Sequence, residues 1–394
     1  MRILIADKVS KELISSLEKL GATVRLNPEL TDETLPGSVG DATILIVRST
    51  KVTAKTIDSA PHLSLIVRAG AGVNTIDLNA ASKRGIYVSN CPGMNTAAVA
   101  ELAIGLLISA DRGIADATIA LRSGRWDKKR FGKARGLKGR TLGIVGLGQI
   151  GLAVANRATG LGMKVLCWSR SLSQEKAETL GMERAETLLD LARNSDAITV
   201  HVAAKKDTKR LINKDFFSAM RPGSIFINTS RGDVIDSAAL ADAIASKGVR
   251  AGLDVFEGEP AEGQAPFEQT ELAANLVCTP HIGASTDQAE EAIANEVVNI
   301  VKAYSQSGRP TNVVNLRQQM TDHITLTVRH YNRVGVLARV LDMLRDEGIN
   351  IEEMQNSIFQ TNETACCSLS LDKIPTPSTI QRLNSDNDII EISS

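Results

Sequence analysis

Three side chains able to hold a carboxylate and move a proton follow three strand-like runs in the middle of the chain. Arg231 comes after Ser224–Ser230, Glu259 lies just after Gly252–Phe256, and His281 ends the Leu276–Thr279 run. Hydride delivered to a carbonyl leaves negative charge on its oxygen, which then needs a proton. A histidine is the natural acid near neutral pH, and a carboxylate beside it keeps it protonated and aimed. Arginine offers a planar fork of donors to a carboxylate and polarises the adjacent carbonyl. Run backwards, the same set oxidises a 2-hydroxy acid. Glu257 and Glu262 are rivals for the acidic role. His201, inside an apolar run, reads as a core or supporting residue rather than a catalyst. The chain holds no HExxH and no P-loop.

The same strand edge carries a glycine-rich loop. Leu142–Val145 is a short apolar run that ends in Gly146-x-Gly148-x-x-Gly151, with an amphipathic helix expected to run from this loop to about Leu161. In this spacing the first glycine turns the chain and the second lets backbone approach a pyrophosphate. The third packs helix against strand. The helix start, including Gln149 and Ile150, points free N–H groups at phosphates. Lys164–Trp168 supplies the next strand and completes a βαβ unit.

Composition narrows the classes. At 394 residues the chain has room for two or three domains with sizeable cores. Its 45 basic and 45 acidic residues cancel, which gives no electrostatic case for nucleic acid or an anionic membrane surface. No apolar stretch is long enough to span a bilayer, and Met1 begins directly on a strand-like run. Five cysteines without CxxC spacing read as reduced thiols of a cytoplasmic protein, and no metal site is expected.

Short apolar runs alternate with helical stretches from the start: Ile3–Ala6, Ala22–Leu26, Ile44–Val47, Leu63–Val67 and Ile86–Val88. This alternation predicts a parallel α/β sheet. Polar residues after two of the runs, Arg48 to Lys51 and Arg68-Ala69-Gly70, are placed where such sheets bind ligands. Arg48, Lys51 and Arg68 are therefore candidates for an anionic substrate, with Ala69 and Gly70 beside them. Asn95 to Ser123 reads as one long helix, buried from several sides. The basic segment 125–130 is either a solvated face or a wall of an anionic site, including that of a neighbouring subunit. Further strands are expected at Ala197–Val202, Ser224–Asn228, Gly252–Phe256 and Leu276–Thr279. A long helix is expected over Thr286–Ser307, and one more strand at Asn312–Leu316. A composition break follows at 317–320. From Asp322 the pattern changes to βαββαβ, a small ferredoxin-like module.

These motifs resemble the D-2-hydroxyacid dehydrogenase family over nearly the whole chain, and within it the branch that acts on 3-phosphoglycerate. The resemblance is carried by Val47-Arg-Ser-Thr-Lys51-Val-Thr, Val67-Arg-Ala-Gly-Ala-Gly-Val-Asn74 and Gly146-Leu-Gly-Gln-Ile-Gly151. Asn228-Thr-Ser-Arg-Gly232, Leu253-Asp-Val-Phe256 and Thr279-Pro-His-Ile-Gly-Ala-Ser285 complete it. It implies two doubly wound parallel-sheet domains, Rossmann- and flavodoxin-like, with the cofactor in the cleft. The outer, substrate-binding domain would be discontinuous (1–94 and 284–317), and the dinucleotide-binding domain would cover 95–283. It also implies catalytic Arg231, Glu259 and His281, and a contact from Asp254 to the nicotinamide amide. The implied reaction interconverts 3-phosphoglycerate and 3-phosphohydroxypyruvate at the entry to L-serine biosynthesis, in a homodimer or homotetramer. A glyoxylate or hydroxypyruvate reductase is the alternative within the family, and a non-catalytic NAD-sensing binding protein is the rival from another class.

NAD is the family default, held by an Asp at the end of the second strand of the glycine-loop domain. Here Ser169 and Arg170 stand there, a change that suits the 2′-phosphate of NADP. The C-terminal module, 320–394, is similar to ACT domains, which bind amino acids in pairs. His330, Asn332 and Asn350 match positions that bind serine in related proteins, which makes L-serine the expected effector. The usual Pro before the glycine is Val334 here.

Overall fold

The structure is a computed structural model and describes residues 1–260, 264–317 and 324–393. It forms two compact units, Met1–Leu316 and Arg317–Ser394.

The first unit contains two parallel sheets. In one, β1 (Arg2–Ile5), β2 (Thr23–Leu26), β3 (Ile44–Val47), β4 (Leu65–Arg68) and β5 (Tyr87–Asn90) lie in the order β2-β1-β3-β4-β5. All five expected runs became strands. β3 is buried at every position, as a central strand with both faces covered must be. One face of this sheet is covered by Val297, Ile300 and Val301 of a long helix, α3 below. Each is fully buried, which is worth about 1.5–3 kcal/mol per side chain.

The second sheet holds β6 (Thr141–Val145), β7 (Lys164–Trp168), β8 (Glu183–Arg184), β9 (Ala197–Val200), β10 (Ile225–Asn228), β11 (Arg250–Leu253) and β12 (Val277–Cys278). Their order is β12-β11-β10-β9-β6-β7-β8, so the strand order reverses between β6 and β9. Three helices of this unit matter to the site: α1 (Thr96–Arg112), α2 (Gln149–Gly160) and α3 (Asp287–Ser307). Alanines of α1 and α2 (Ala100, Ala103, Ala155 and Ala158) pack on Leu142, Ile144 and Ile227 of this sheet. Phe216, Phe217 and Phe226 fill the other face. Behind α1, buried Asp111 binds Arg140 Nη1 at 2.9 Å and the Gly136 N–H at 3.0 Å, with Arg250 Nη2 at 3.4 Å. This network tethers the starts of β6 and β11 to the end of α1. Among the described residues no helix is long and apolar enough to cross a membrane.

Two expectations are corrected here. The helix expected over Asn95–Ser123 breaks at Gly113, whose φ of 61° caps α1 and starts a separate helix, Ile114–Arg122. A left-handed residue cannot continue a helix, and glycine adopts it at little cost. Asn312–Leu316 is not a strand: it makes one antiparallel bridge, Val313 to Ser89, on the edge of β5. The Asn315 side chain accepts from the Val88 N–H at 2.8 Å and so occupies the position a further ladder bond would take. The short strand β8 and the helix Gln174–Thr179 were not anticipated.

In the second unit, β13 (Ile324–Tyr331), β14 (Ile351–Ile358), β15 (Thr364–Leu371) and β16 (Ile389–Ser393) form an antiparallel sheet in the order β14-β15-β13-β16. Two helices, α4 (Val336–Asp346) and α5 (Pro377–Asn384), cover one face, with Val336, Val340, Leu344 and Leu383 fully buried against Leu326 and Leu369. This is the expected ferredoxin-like pattern. Of the composition break expected at 317–320, residues 318–320 lie outside the described residues, and Arg317 begins the second unit.

Candidate active site

Each reactive residue leaves the carboxyl end of a strand of the second sheet. After β10, the Asn228 side chain ties down its own turn. Its Oδ1 accepts from the Ser230 N–H (2.9 Å) and hydroxyl (2.7 Å), and its Nδ2 donates to the Arg231 carbonyl at 3.0 Å. Arg231 then reaches toward the loop after β4, where a Cβ on Gly72 would lie 2.8 Å from its Nη2. After β11, Glu259 folds back so that Oε2 accepts from the Phe256 N–H at 3.1 Å. The two loops touch at Gly232, where a side chain would collide with the Phe256 carbonyl.

His281 follows β12 with a φ of 53°, an uncommon conformation for a non-glycine residue. Its N–H donates to the Asp254 carbonyl at 2.8 Å. The Asp254 carboxylate, only 1% exposed, accepts from Thr279 Oγ1 (2.6 Å), Ile282 N–H (2.8 Å) and Gly283 N–H (2.9 Å). Asp254 thus sits beneath the His281 turn and holds it. His281 Nδ1 lies 2.5 Å from Glu259 Oε1. Burial opposes charge on Glu259, but the His281 hydrogen bond and charge, the Phe256 N–H and the Arg231 charge outweigh it. The carboxyl is held below its ordinary range. Of the two rivals, Glu257 pairs with Arg210 at 2.8 Å. Glu262 lies outside the described residues.

A cavity of about 960 Å³ brings Glu259 and His281 together with Arg48, Arg68, Ala69 and Gly70. Arg68 lies over Gly70, and its pKa is lowered by burial and then by the neighbouring charge of Arg231. Two cations held this close, with Arg48 near by, could receive an anion. Arg48 Nη1 pairs with Glu290 at 2.9 Å. Lys51 is exposed and does not line this cavity, nor does the 125–130 segment, where Trp126 is 82% exposed. Asp7 and Lys8 line it, beside Ser49 of the Arg48–Lys51 run, without having been singled out in the sequence. No motif marks Asp7 and Lys8, because they meet that run only when β1 and β3 lie side by side.

A second cavity, of about 270 Å³, lies where the second sheet reverses its order. It is lined by Gly146 and Gly148, by Ser169 and Arg170 after β7, and by His201, Lys205 and Asp207 after β9. Gly146 has a φ of 95°, and a Cβ there would lie 2.6 Å from the His201 carbonyl. Gly148 faces open space at the start of α2. Bare backbone beside a helix N-terminus at a switch point fits a dinucleotide pyrophosphate. Gln149 and Ile150 form the first turn of α2, and Gly151 packs on the Gly146 carbonyl. His201 follows β9, bonds Thr199 Oγ1 at 2.9 Å, and is pushed down to about 3 by burial, so it stays neutral. Arg170 is ion-paired with Asp207.

Residues 104–283 match the family described as D-isomer specific 2-hydroxyacid dehydrogenase, NAD binding domain. A D-3-phosphoglycerate dehydrogenase from Methanocaldococcus jannaschii is 39% identical over 90% of this chain. The chain spans 67% of that protein's length and 59% of a second archaeal protein of the same name, from Archaeoglobus fulgidus. A glyoxylate reductase from Thermococcus litoralis is 41% identical over 70% of this chain and 83% of its own length. Among solved structures, the NAD+-bound 3-phosphoglycerate dehydrogenase of Entamoeba histolytica aligns with a TM-score of 0.67 at 26% identity. That alignment covers 81% of this chain and 99% of the other. With these relatives, a glycine loop at the sheet's switch point and a His–Glu pair facing an arginine-lined cavity, the chain belongs to the D-isomer-specific 2-hydroxyacid dehydrogenase family.

Proposed function

We propose that this chain oxidises 3-phosphoglycerate to 3-phosphohydroxypyruvate, the entry step of L-serine biosynthesis, with Arg231, Glu259 and His281 as catalytic residues. The observation that carries the reading is one cavity shared by the His281–Glu259 pair and the cations Arg48 and Arg68, with Arg231, which does not line it, acting by its charge on both Arg68 and Glu259. A 2-hydroxy acid with a distal phosphate has two anionic ends, and the cavity has cations for both. Arg231 and Arg68 receive the carboxylate, with the Ala69–Gly70 backbone beside them, while Arg48 receives the phosphate. The glycine loop and the start of α2 would hold a nicotinamide dinucleotide, which when bound would supply the hydride acceptor. His281, with Nδ1 held by Glu259, takes the hydroxyl proton on Nε2, and Glu259 stabilises the imidazolium that results. The glyoxylate reductase among the relatives keeps a second reading alive, since glyoxylate needs the same triad but no phosphate contact. A panel of 3-phosphoglycerate, hydroxypyruvate and glyoxylate, read by nicotinamide absorbance, separates them. Turnover of the last two alone would overturn the phosphorylated substrate.

In the domain plan we adopt, 1–94 and 284–317 bind substrate, 95–283 bind the dinucleotide, and 320–394 regulate. Ser169 and Arg170 favour NADP, but Arg170 already has a partner in Asp207. A 2′-phosphate must compete with that carboxylate, so the preference should be modest. For regulation we propose L-serine, bound by His330, Asn332 and Asn350. His330 is buried, with Nδ1–H donating to the Tyr331 carbonyl at 2.8 Å, and Asn332 Nδ2 donates to the Asn362 carbonyl at 3.0 Å. Asn350 lies at the opposite end of the sheet, before β14. By strand register, Ile351 and Ile324 both pair with Leu371, whereas His330 pairs with Ala365. The separation is roughly 20 Å at about 3.3 Å per residue. The complete serine site therefore requires two copies of the module. Calorimetric titration with serine that gives no heat and no loss of rate would refute it.

A further inference from the structure

The outer sheet has a switch point of its own, between β1 and β3. Open parallel sheets bind ligands in the crevice beyond the carboxyl ends of such strands. Asp7 follows β1 there, and residues 48–50 follow β3. The Asp7 carboxylate accepts from the N–H groups of Arg48 (2.7 Å), Ser49 (3.1 Å) and Thr50 (3.2 and 3.3 Å). Thr50 Oγ1 also donates to the Ala6 carbonyl at 3.2 Å, stitching the loop to the end of β1.

Successive backbone N–H groups turned onto one oxyanion make an anion-binding nest. Here the resident anion is the chain's own Asp7. That has a consequence for substrate. The loop's amides are already taken, so an incoming phosphate must be met by the side chains that the loop aims. Arg48 and Ser49 line the same cavity as Asp7, as does Lys8. Among the described residues Lys8 forms no ion pair. The Arg48–Glu290 pair is more than a third exposed on both sides, so its attraction is weak and readily exchanged for a substrate anion.

We infer that Asp7 is a positioning residue for the phosphate end of the substrate. It fixes the 48–50 loop so that Arg48 and Ser49 face the cavity, and it acts through Arg48 without touching the reacting atoms. Its own charge is met by three amide dipoles, which limits its repulsion of the incoming anion. This role rests on the phosphorylated substrate proposed above.

The test uses the full chain. Asp7→Asn keeps the size but turns an NH₂ group against the loop amides, leaving one acceptor oxygen. The expected result is a rise of about tenfold in KM for 3-phosphoglycerate relative to KM for glyoxylate, the loss of one charge-assisted contact. The effect on kcat should be smaller than that on KM. Added to Arg48→Ala, the same substitution should raise KM by far less than tenfold, because Arg48, the charged side chain it positions, is gone and only Ser49 remains. Should Asp7→Asn fail to fold, Asp7→Glu carries the test: it retains the charge but displaces the loop by a methylene, and KM must rise again. An unchanged KM ratio in either variant, or full additivity with Arg48→Ala, overturns the role while leaving the proposed reaction intact. A wild-type chain that reduces glyoxylate but does not turn over 3-phosphoglycerate overturns both.

Discussion

Replacing Gly232 by alanine should separate the two halves of the proposed catalytic set. Gly232 is the point at which the loop carrying Arg231 crosses the segment leading to Glu259, and an added methyl would overlap the Phe256 carbonyl. Ordinary nonbonded contact begins at roughly 3.5 Å, so the two backbones must part by on the order of 1 Å. Neither side yields easily. Asn228 holds the Arg231 turn through three hydrogen bonds, and the Phe256 N–H is tied to Glu259. Overpacking of this kind costs about 1–3 kcal/mol in stability. A displacement of that size between reacting groups costs about a hundredfold in turnover. The assay is steady-state kinetics beside a melting curve, with calorimetric binding of NADH as the control. Dinucleotide affinity should hold, because Gly146 and Ser169 follow other strands, β6 and β7. A Gly232→Ala enzyme with kcat within threefold of wild type and an unchanged melting point would refute the reasoning.

His281→Asn should lower turnover about a hundredfold or more with dinucleotide binding retained, as measured by the same pair of assays. Glu259 titrates below the ordinary carboxylate range in the folded chain, so the stability it lends is present above that range and is lost as pH falls through its lower native value. NMR titration of its carboxyl should place it there, and should return it upward in His281→Asn. Asp111→Ala leaves Arg140 buried without its carboxylate and should cost about 3–5 kcal/mol in denaturant unfolding, and a loss under 1 kcal/mol would contradict the network described. Ser169→Asp with Arg170→Ile should move cofactor preference toward NAD, read as the ratio of kcat/KM values for the two dinucleotides. A wild-type chain that already prefers NAD by a wide margin would refute that reading.

What could be read in the sequence was whatever depends on local pattern. Fully buried parallel strands such as Ile44–Val47 are continuous apolar runs, and the residues after them fall on one edge by topology alone. That is why Arg231, Glu259 and His281 group together from the sequence alone. Asp7 could not, because its partners lie 41 to 43 residues away and nothing in Ala6-Asp7-Lys8 marks them. The break at Gly113 is local, yet apolar periodicity continues across it, so the pattern masks the left-handed turn. Asn312–Leu316 misled for the opposite reason: its side-chain pattern suits a strand, but Asn315 spends its amide on the β5 backbone. The Arg170–Asp207 pair joins loops after β7 and β9, and that adjacency appears only in the folded sheet.

The distance between Asn350 and His330 along the antiparallel sheet sets the molecularity of any serine response. If both ends must contact one small amino acid, the ligand site belongs to no single chain and exists only at protein concentrations where modules associate. Serine sensitivity would then fade on dilution even at saturating serine, and mixing wild-type chains with an Asn350→Ala variant would leave hybrid assemblies with half their sites. Under the serine proposal, such a response would report the concentration of the chain itself as well as that of the amino acid.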